Sequence, residues 1–350
     1  VADRDRLKVQ YNYSPAGTLK EVTDATTSPT KALFTTSTVN ADGQILTGSY
    51  SGGVILTTRD YYNLNGRLKN ITDQHGSSKL TDTAYAYYDN GSLKQRSDST
   101  EDSTNPRIED YTYDHLGRLD TWQLNPAGTT APSKSTTYGY STSGNLETVR
   151  TVTGTTTTTQ TNHYDNTAHP NAVSSRTITG SPDTDFTYDD HGRQLTGDGR
   201  TLTYRGLQLT PRTITKSGTT WTYTYDASGH RFKKTNGTNS TLYIGSLYEK
   251  RTTPSGTSHV FHINGPAGHI AQITYTGTTG RDTQYTLNDP QNTTTTVTNA
   301  TATATERQYF DPYGARINKN GTTTPTPTPP TNTTRATPAT KWTTKPASST

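Results

Sequence analysis

The sequence has neither cysteine nor methionine in 350 residues. Without cysteine there is no disulfide framework, no thiolate metal site and no thiol nucleophile. Apolar residues are scarce, at 27%, below the usual share of a globular chain. No run approaches the roughly 18 apolar residues that read as a membrane-crossing helix, so no membrane span is expected. Charge is thin as well: 18% of residues are charged, the net charge is +4, and Lys and Arg form no long block. That excludes the basic stripe of a nucleic-acid binder and the polybasic membrane switch. It is also unlike the strongly charged composition of a typical disordered chain. No leader segment is legible. Val1 is not an initiator residue, which leaves a mature product, an interior fragment and an edited sequence open.

What is present is Tyr (23), Gly (29) and long stretches rich in Thr. Thr and Tyr favour strands, while Gly and Asn supply tight turns. The stretch Tyr111-Thr112-Tyr113-Asp114-His115-Leu116-Gly117-Arg118-Leu119 reads as strand, turn, strand. Tyr111 and Tyr113 share one strand face. Asp114 opens a four-residue turn and Gly117 closes it. Similar units end at Gly17, Gly66, Gly91, Gly144, Gly192 and Gly229, with a degraded one at Ala41-Asp42-Gly43. In the unit ending at Gly66, Asp60 stands in the first Tyr position. From Gly17 to Gly144 the spacing is 23 to 27 residues, a period of about 25. The double gap from Gly144 to Gly192 predicts another degraded unit at Tyr164-Asp165, with Ala168 in the glycine slot.

The return strands carry a second pattern. An apolar residue follows the glycine by two (Leu19, Leu68, Leu93, Leu119, Leu146) and often by five (Val22, Ile71, Trp122, Val149). Two positions three apart cannot share a face of a regular strand, so a bulge or twist is expected between them. Asp24, Asp73 and Asp98, seven after the glycine, read as the next turn. Tyr11, Tyr13, Tyr111, Tyr113, Tyr138, Tyr140, Tyr223 and Tyr225 are the expected stacking aromatics. Asp114, Gly117, Asp189, Gly192, Asp226, Gly229, Asp311 and Gly314 are the expected turn residues.

Tyr-x-Tyr-Asp-x-x-Gly-Arg-Leu resembles the tyrosine–aspartate (YD) repeat of bacterial Rhs proteins, toxin-complex B and C components and teneurins. Gly199-Arg200-Thr201-Leu202-Thr203-Tyr204, Tyr243-Ile244-Gly245-Ser246-Leu247-Tyr248-Glu249 and Glu306-Arg307-Gln308-Tyr309-Phe310-Asp311-Pro312-Tyr313-Gly314 resemble the Rhs-associated core. Together these cover about residues 9 to 317. The resemblance implies an all-β fold: spiralling antiparallel β-hairpin YD repeats forming a shell, tube or solenoid-like wall. It divides the chain into a repeat region at 1–242, a core-like β region at 243–317 and a low-complexity Thr/Pro tail at 318–350. The stretch from Tyr285 to Asn292 departs from the family, having Asn288-Asp289-Pro290-Gln291 where an Asp-His-Leu-Gly-Ser type turn is usual.

In the family, two Asp-Pro-x-Gly elements precede an aspartate-based self-cleavage that releases a C-terminal toxin. Only the first is present, as Asp311-Pro312-Tyr313-Gly314, so self-cleavage is not carried over and Asp311 reads as a turn residue. No cofactor, metal or enzymatic activity is expected. His259 and His262 read as strand residues with no ligand framework around them, and no Gly-x-Ser-x-Gly elbow or phosphate loop appears. Asn70, Asn236, Asn239, Asn292 and Asn332 head Asn-x-Ser/Thr triplets and are candidate glycosylation acceptors, although such triplets arise by chance in a Thr-rich chain. The expected role is a non-enzymatic, secreted or surface-exposed bacterial structural module. The rival readings are a self-assembling filament or adhesin, and a shell fragment that encapsulates a toxic cargo. The expected partners are further copies of itself, a polypeptide cargo, or a cell-surface glycan or receptor.

Overall fold

The computed structural model describes residues 7–26, 28–126, 132–266, 268–277 and 280–322; the tail at 323–350, with Asn332, lies outside them. The fold is all-β. Fifteen strands, β1 (Val9–Tyr13) to β15 (Ser181–Asp185), form one sheet in sequence order. Thirteen more, β16 (Thr187–Tyr188) to β28 (Ala304–Arg307), form a second sheet, also in sequence order. The hairpin of β29 (Tyr309–Phe310) and β30 (Arg316–Ile317) follows. Every pairing is antiparallel, as expected of hairpins joined by short turns. The break between sheets falls at Phe186, and the strand Ser240–Ile244 runs through residues 242 and 243 inside the second sheet.

The bulge read from the odd offset is present and repeats. Leu119 faces Tyr113 and Trp122 faces Tyr111, with the register shifting between Leu119 and Thr121. Leu19 faces Tyr13 and Val22 faces Tyr11; Leu146 faces Tyr140 and Val149 faces Tyr138. The extra residue after each turn thus puts both apolar positions on the tyrosine face.

Three local readings are corrected. Tyr61 pairs with Leu68 and Arg59 with Ile71, so Arg59, not Asp60, holds the first Tyr position; Tyr62 opens a turn one residue longer than the others. Asp73 opens no turn: it lies within β6 (Leu68–His75), between Thr57 and Thr81, and is 2% exposed. Ala168 does not replace a turn glycine, since it has no positive φ. A wider loop closes that unit, and Asn166 Oδ1 accepts from the amides of Ala168 and His169.

The largest core joins the two sheets. Val22, Phe34, Tyr50 and Ile55 of the first pack with Ile263, Ile273, Tyr285 and Leu287 of the second. Arg281 pairs with Asp24, and the Leu80 carbonyl accepts from Thr296 Oγ1 at 3.2 Å and Arg307 Nη1 at 2.8 Å. A second core holds Tyr111, Trp122, Leu124, Tyr138 and Ile317.

Candidate functional site: a hairpin docked on the tyrosine face

The repeated turn is built by one side chain. Asp114 Oδ1 accepts from the amides of Leu116 and Arg118, both at 2.9 Å, and Gly117 takes φ +76° and donates to the Asp114 carbonyl. Asp189 with Gly192 and Asp226 with Gly229 repeat the arrangement. Asp311 does too, accepting from Tyr313 at 3.0 Å and Ala315 at 2.8 Å, with Gly314 at φ +84°. A short acceptor at the turn start satisfies amides that no strand partner reaches, and the left-handed fourth residue favours glycine.

From the third hairpin onward, the second tyrosine of a unit reaches the preceding hairpin through its hydroxyl. Tyr113 donates to the Leu93 carbonyl (3.0 Å), Tyr140 to Leu119 (2.9 Å), Tyr164 to Leu146 (2.8 Å) and Tyr225 to Pro211 (3.0 Å). Cations as well as tyrosines cover the rings: Arg118 lies 4.4 Å from the Tyr140 centroid and Arg231 5.7 Å from that of Tyr223, within cation–π range. Tyr111 and Tyr138 are buried, whereas Tyr11 and Tyr13 of the first unit are 38% and 61% exposed.

The β29–β30 hairpin docks on this face. Ile317 enters the core of Trp122 and Leu124. Tyr313 sits 5.0 Å from the Tyr138 ring and shares a 2.8 Å hydroxyl contact with Tyr140. Lys134 Nζ donates to the Gly321 carbonyl at 2.7 Å, and Arg107 Nε to that of Lys319 at 3.0 Å. Burial raises the Asp311 pKa above its ordinary value and, with the nearby Arg96 charge, lowers that of Arg107 to about 10.

Beneath the hairpin lies a centre that the sequence does not announce. Glu109, 1% exposed, pairs with both Arg96 and Arg107. It also accepts from Tyr111 Oη at 2.7 Å and Trp122 Nε1 at 3.0 Å. A buried carboxylate is tolerable only with such partners. Glu109 lies on the same strand face as Tyr111, and Arg96 occupies the position five after Gly91 that holds Val22, Ile71, Trp122 and Val149 in four other units. An alternating odd-numbered face through 107, 109 and 111 was the available signal.

His259 and His262 sit on β24 (Gly256–Gly265), where His259 contacts Tyr248 Oη at 2.6 Å and His262 meets Glu249 and His269. Among the described residues no three His, Asp or Glu side chains converge as metal ligands, and no helix is long and apolar enough to cross a membrane. Asn292 is exposed, at φ +62°. Asn70 lies mid-strand with its amide on Thr72 Oγ1. Asn236 caps a turn, its Oδ1 accepting from the Thr238 and Asn239 amides.

No protein-family model and no curated protein matches the sequence. Solved structures do. The Photorhabdus luminescens Tc holotoxin pore carrying the TccC3 D651A mutation superposes with a TM-score of 0.70 at 18% identity. The TcdB2–TccC3 crystal structure gives 0.70 at 17% identity. This chain shares the fold of these toxin-complex structures, as its resemblance to the YD repeat implies. Each match covers 88% of this chain but 17% of the other, so this chain spans about a sixth of the length of those structures. The YD-repeat likeness therefore takes in both sheets, from the regular tyrosine units to the core-like segment.

Proposed function

We propose that the chain is a non-enzymatic wall segment of a larger β-shell that screens a polypeptide cargo, made by a bacterium and acting outside the cell. The observation that carries this reading is the docked hairpin. The tyrosine face is occupied by the chain's own C-terminal segment, held by Arg107, Lys134, Tyr138 and Tyr140. A wall that must hold polypeptide on one side needs such backbone-directed anchors, and Arg107 and Lys134 both donate to main-chain carbonyls rather than to a particular side chain. The match to TcdB2–TccC3 supports the same reading by fold. Asp311 serves the turn through its Oδ1, which favours a structural over a cleaving role.

A filament is the second reading, favoured by the sheet ends: among the described residues β1 and β15 pair on one side only, as do β16 and β28, and such edges template further strands. Electron imaging of the isolated particle separates the two. Discrete hollow particles with internal density support the wall. Filaments with a fixed axial rise support assembly and overturn it, and small solid monomers overturn both.

A further inference from the structure

Four polar side chains form a chain across the second sheet: Glu249 on β23 (Tyr248–Thr253), His262 on β24, His269 on β25 (Gly268–Thr276) and Thr286 on β26 (Gly280–Asn288). Their hydrogen bonds fix where the imidazole protons sit. His262 Nε2 lies 3.2 Å from Glu249 Oε1, an acceptor only, so that nitrogen carries a proton. Thr286 Oγ1 donates its own hydrogen to the His269 carbonyl at 2.8 Å. It therefore accepts from His269 Nδ1, 3.0 Å away. The nitrogens left over, His262 Nδ1 and His269 Nε2, face each other at 3.3 Å. In two neutral rings both are bare lone pairs, and they repel unless a cation lies between them.

We propose that this pair is a binding site for a divalent transition-metal ion of the zinc class. Zinc–imidazole bonds of about 2.0–2.1 Å at a tetrahedral angle set their nitrogens about 3.3–3.4 Å apart, which matches the observed separation. The outer nitrogens are held as in histidine metal sites generally, one on a carboxylate and one on a hydroxyl. Glu249 is fixed in turn by Arg251 Nε at 2.8 Å. Since no third His, Asp or Glu converges among the described residues, the protein supplies two ligands and water completes the shell. A soft or borderline ion of modest affinity fits this set, whereas calcium and magnesium, which want several oxygens, do not.

The test is titration of the intact protein with Co²⁺, followed by its visible d–d absorption, and then displacement by Zn²⁺. A saturable, intense band of one equivalent, lost on adding Zn²⁺, is expected. His269→Gln should abolish it. Thr286→Val, which leaves both ligating nitrogens in place, should weaken binding about 10–100-fold. His259→Ala, which removes a histidine that bonds Tyr248 instead, should leave it unchanged. No band in the unmodified protein overturns the proposal and leaves a proton shared between the two rings. A band that survives His269→Gln overturns it as well, because the ion then sits elsewhere.

Discussion

Two stretches of this chain use the same hairpins and hold them differently. From β2 (Leu19–Asp24) to β11 (Lys134–Tyr140), and again from β24 to β27 (Thr294–Asn299), every strand except Leu93–Asp98 contributes buried residues to a covered face. Between Tyr138 and Val260 no buried hydrophobic residue occurs among the described residues. That middle stretch is tied by strand pairing, by tyrosine hydroxyls on carbonyls, by paired threonines such as Thr203–Thr213 (2.6 Å) and Thr215–Thr220 (2.8 Å), and by cations over rings such as Arg193 on Tyr204 (4.7 Å). The repeat can thus propagate without a deep core, and rigidity comes where a second layer lies over it. Stability in such a chain is a sum of neighbouring interfaces, so it should be uneven along the sequence.

The sharpest test of that contrast is at Glu109. Glu109→Ala strands two arginines, and the cost should be about 3–5 kcal/mol by denaturant unfolding. Asp198→Ala, which breaks the half-exposed pairs with Arg176 and Arg200 in the middle stretch, should cost under about 1 kcal/mol. Equal losses would dissolve the distinction. The tryptophans give a paired comparison of the same kind. Trp122 is 1% exposed, and Trp122→Ala should cost about 3–5 kcal/mol. Trp221 is only half-buried, and its replacement by Ala should cost about half as much.

A smaller effect tests the hydroxyl ladder. Tyr113→Phe removes one donor to a carbonyl and should lower stability by about 0.5–1.5 kcal/mol. Tyr13→Phe, at the exposed first unit, should change the unfolding midpoint little. The smallest is electrostatic. Burial raises Asp311, so the native state holds that proton to higher pH than the unfolded chain, which releases it near 3.8. The contribution is complete below that value and is lost as pH rises above it. Asp311→Asn keeps an Oδ1 acceptor and removes the charge. It should raise the melting midpoint at pH 7 and leave it unchanged below about pH 4.

The hairpin repeat was legible in the sequence because period-two tyrosines and turn-forming Asp and Gly encode it locally. Even the bulge could be read, since Leu119 and Trp122 cannot otherwise share a face. What escaped depends on partners distant in sequence. Asp73 looked like a turn opener because seven residues separate it from Gly66, as with Asp24 and Gly17; only its place between Thr57 and Thr81 shows an interior position. Arg96 and Glu109 stand thirteen residues apart in the sequence and meet only once β8 (Leu93–Asp98) pairs with β9 (Arg107–Tyr113). His262 and His269 were separated by a turn that the pattern did not register as bringing their rings together. The fold-back of the second sheet onto Leu80 rests on Thr296 and Arg307, more than 200 residues away, and no local pattern encodes it.

Native-state hydrogen exchange resolved along the chain tests the central claim most directly. The amides of β5 (Ile55–Tyr61) to β7 (Ser78–Tyr87) and of β24 to β27 should be protected together and open together, because one core joins them. Those of β16 to β22 (Ser240–Ile244) should exchange through smaller openings, faster and independently. Uniform protection from β1 to β28, or slower exchange in the middle than at the joined ends, would contradict the account.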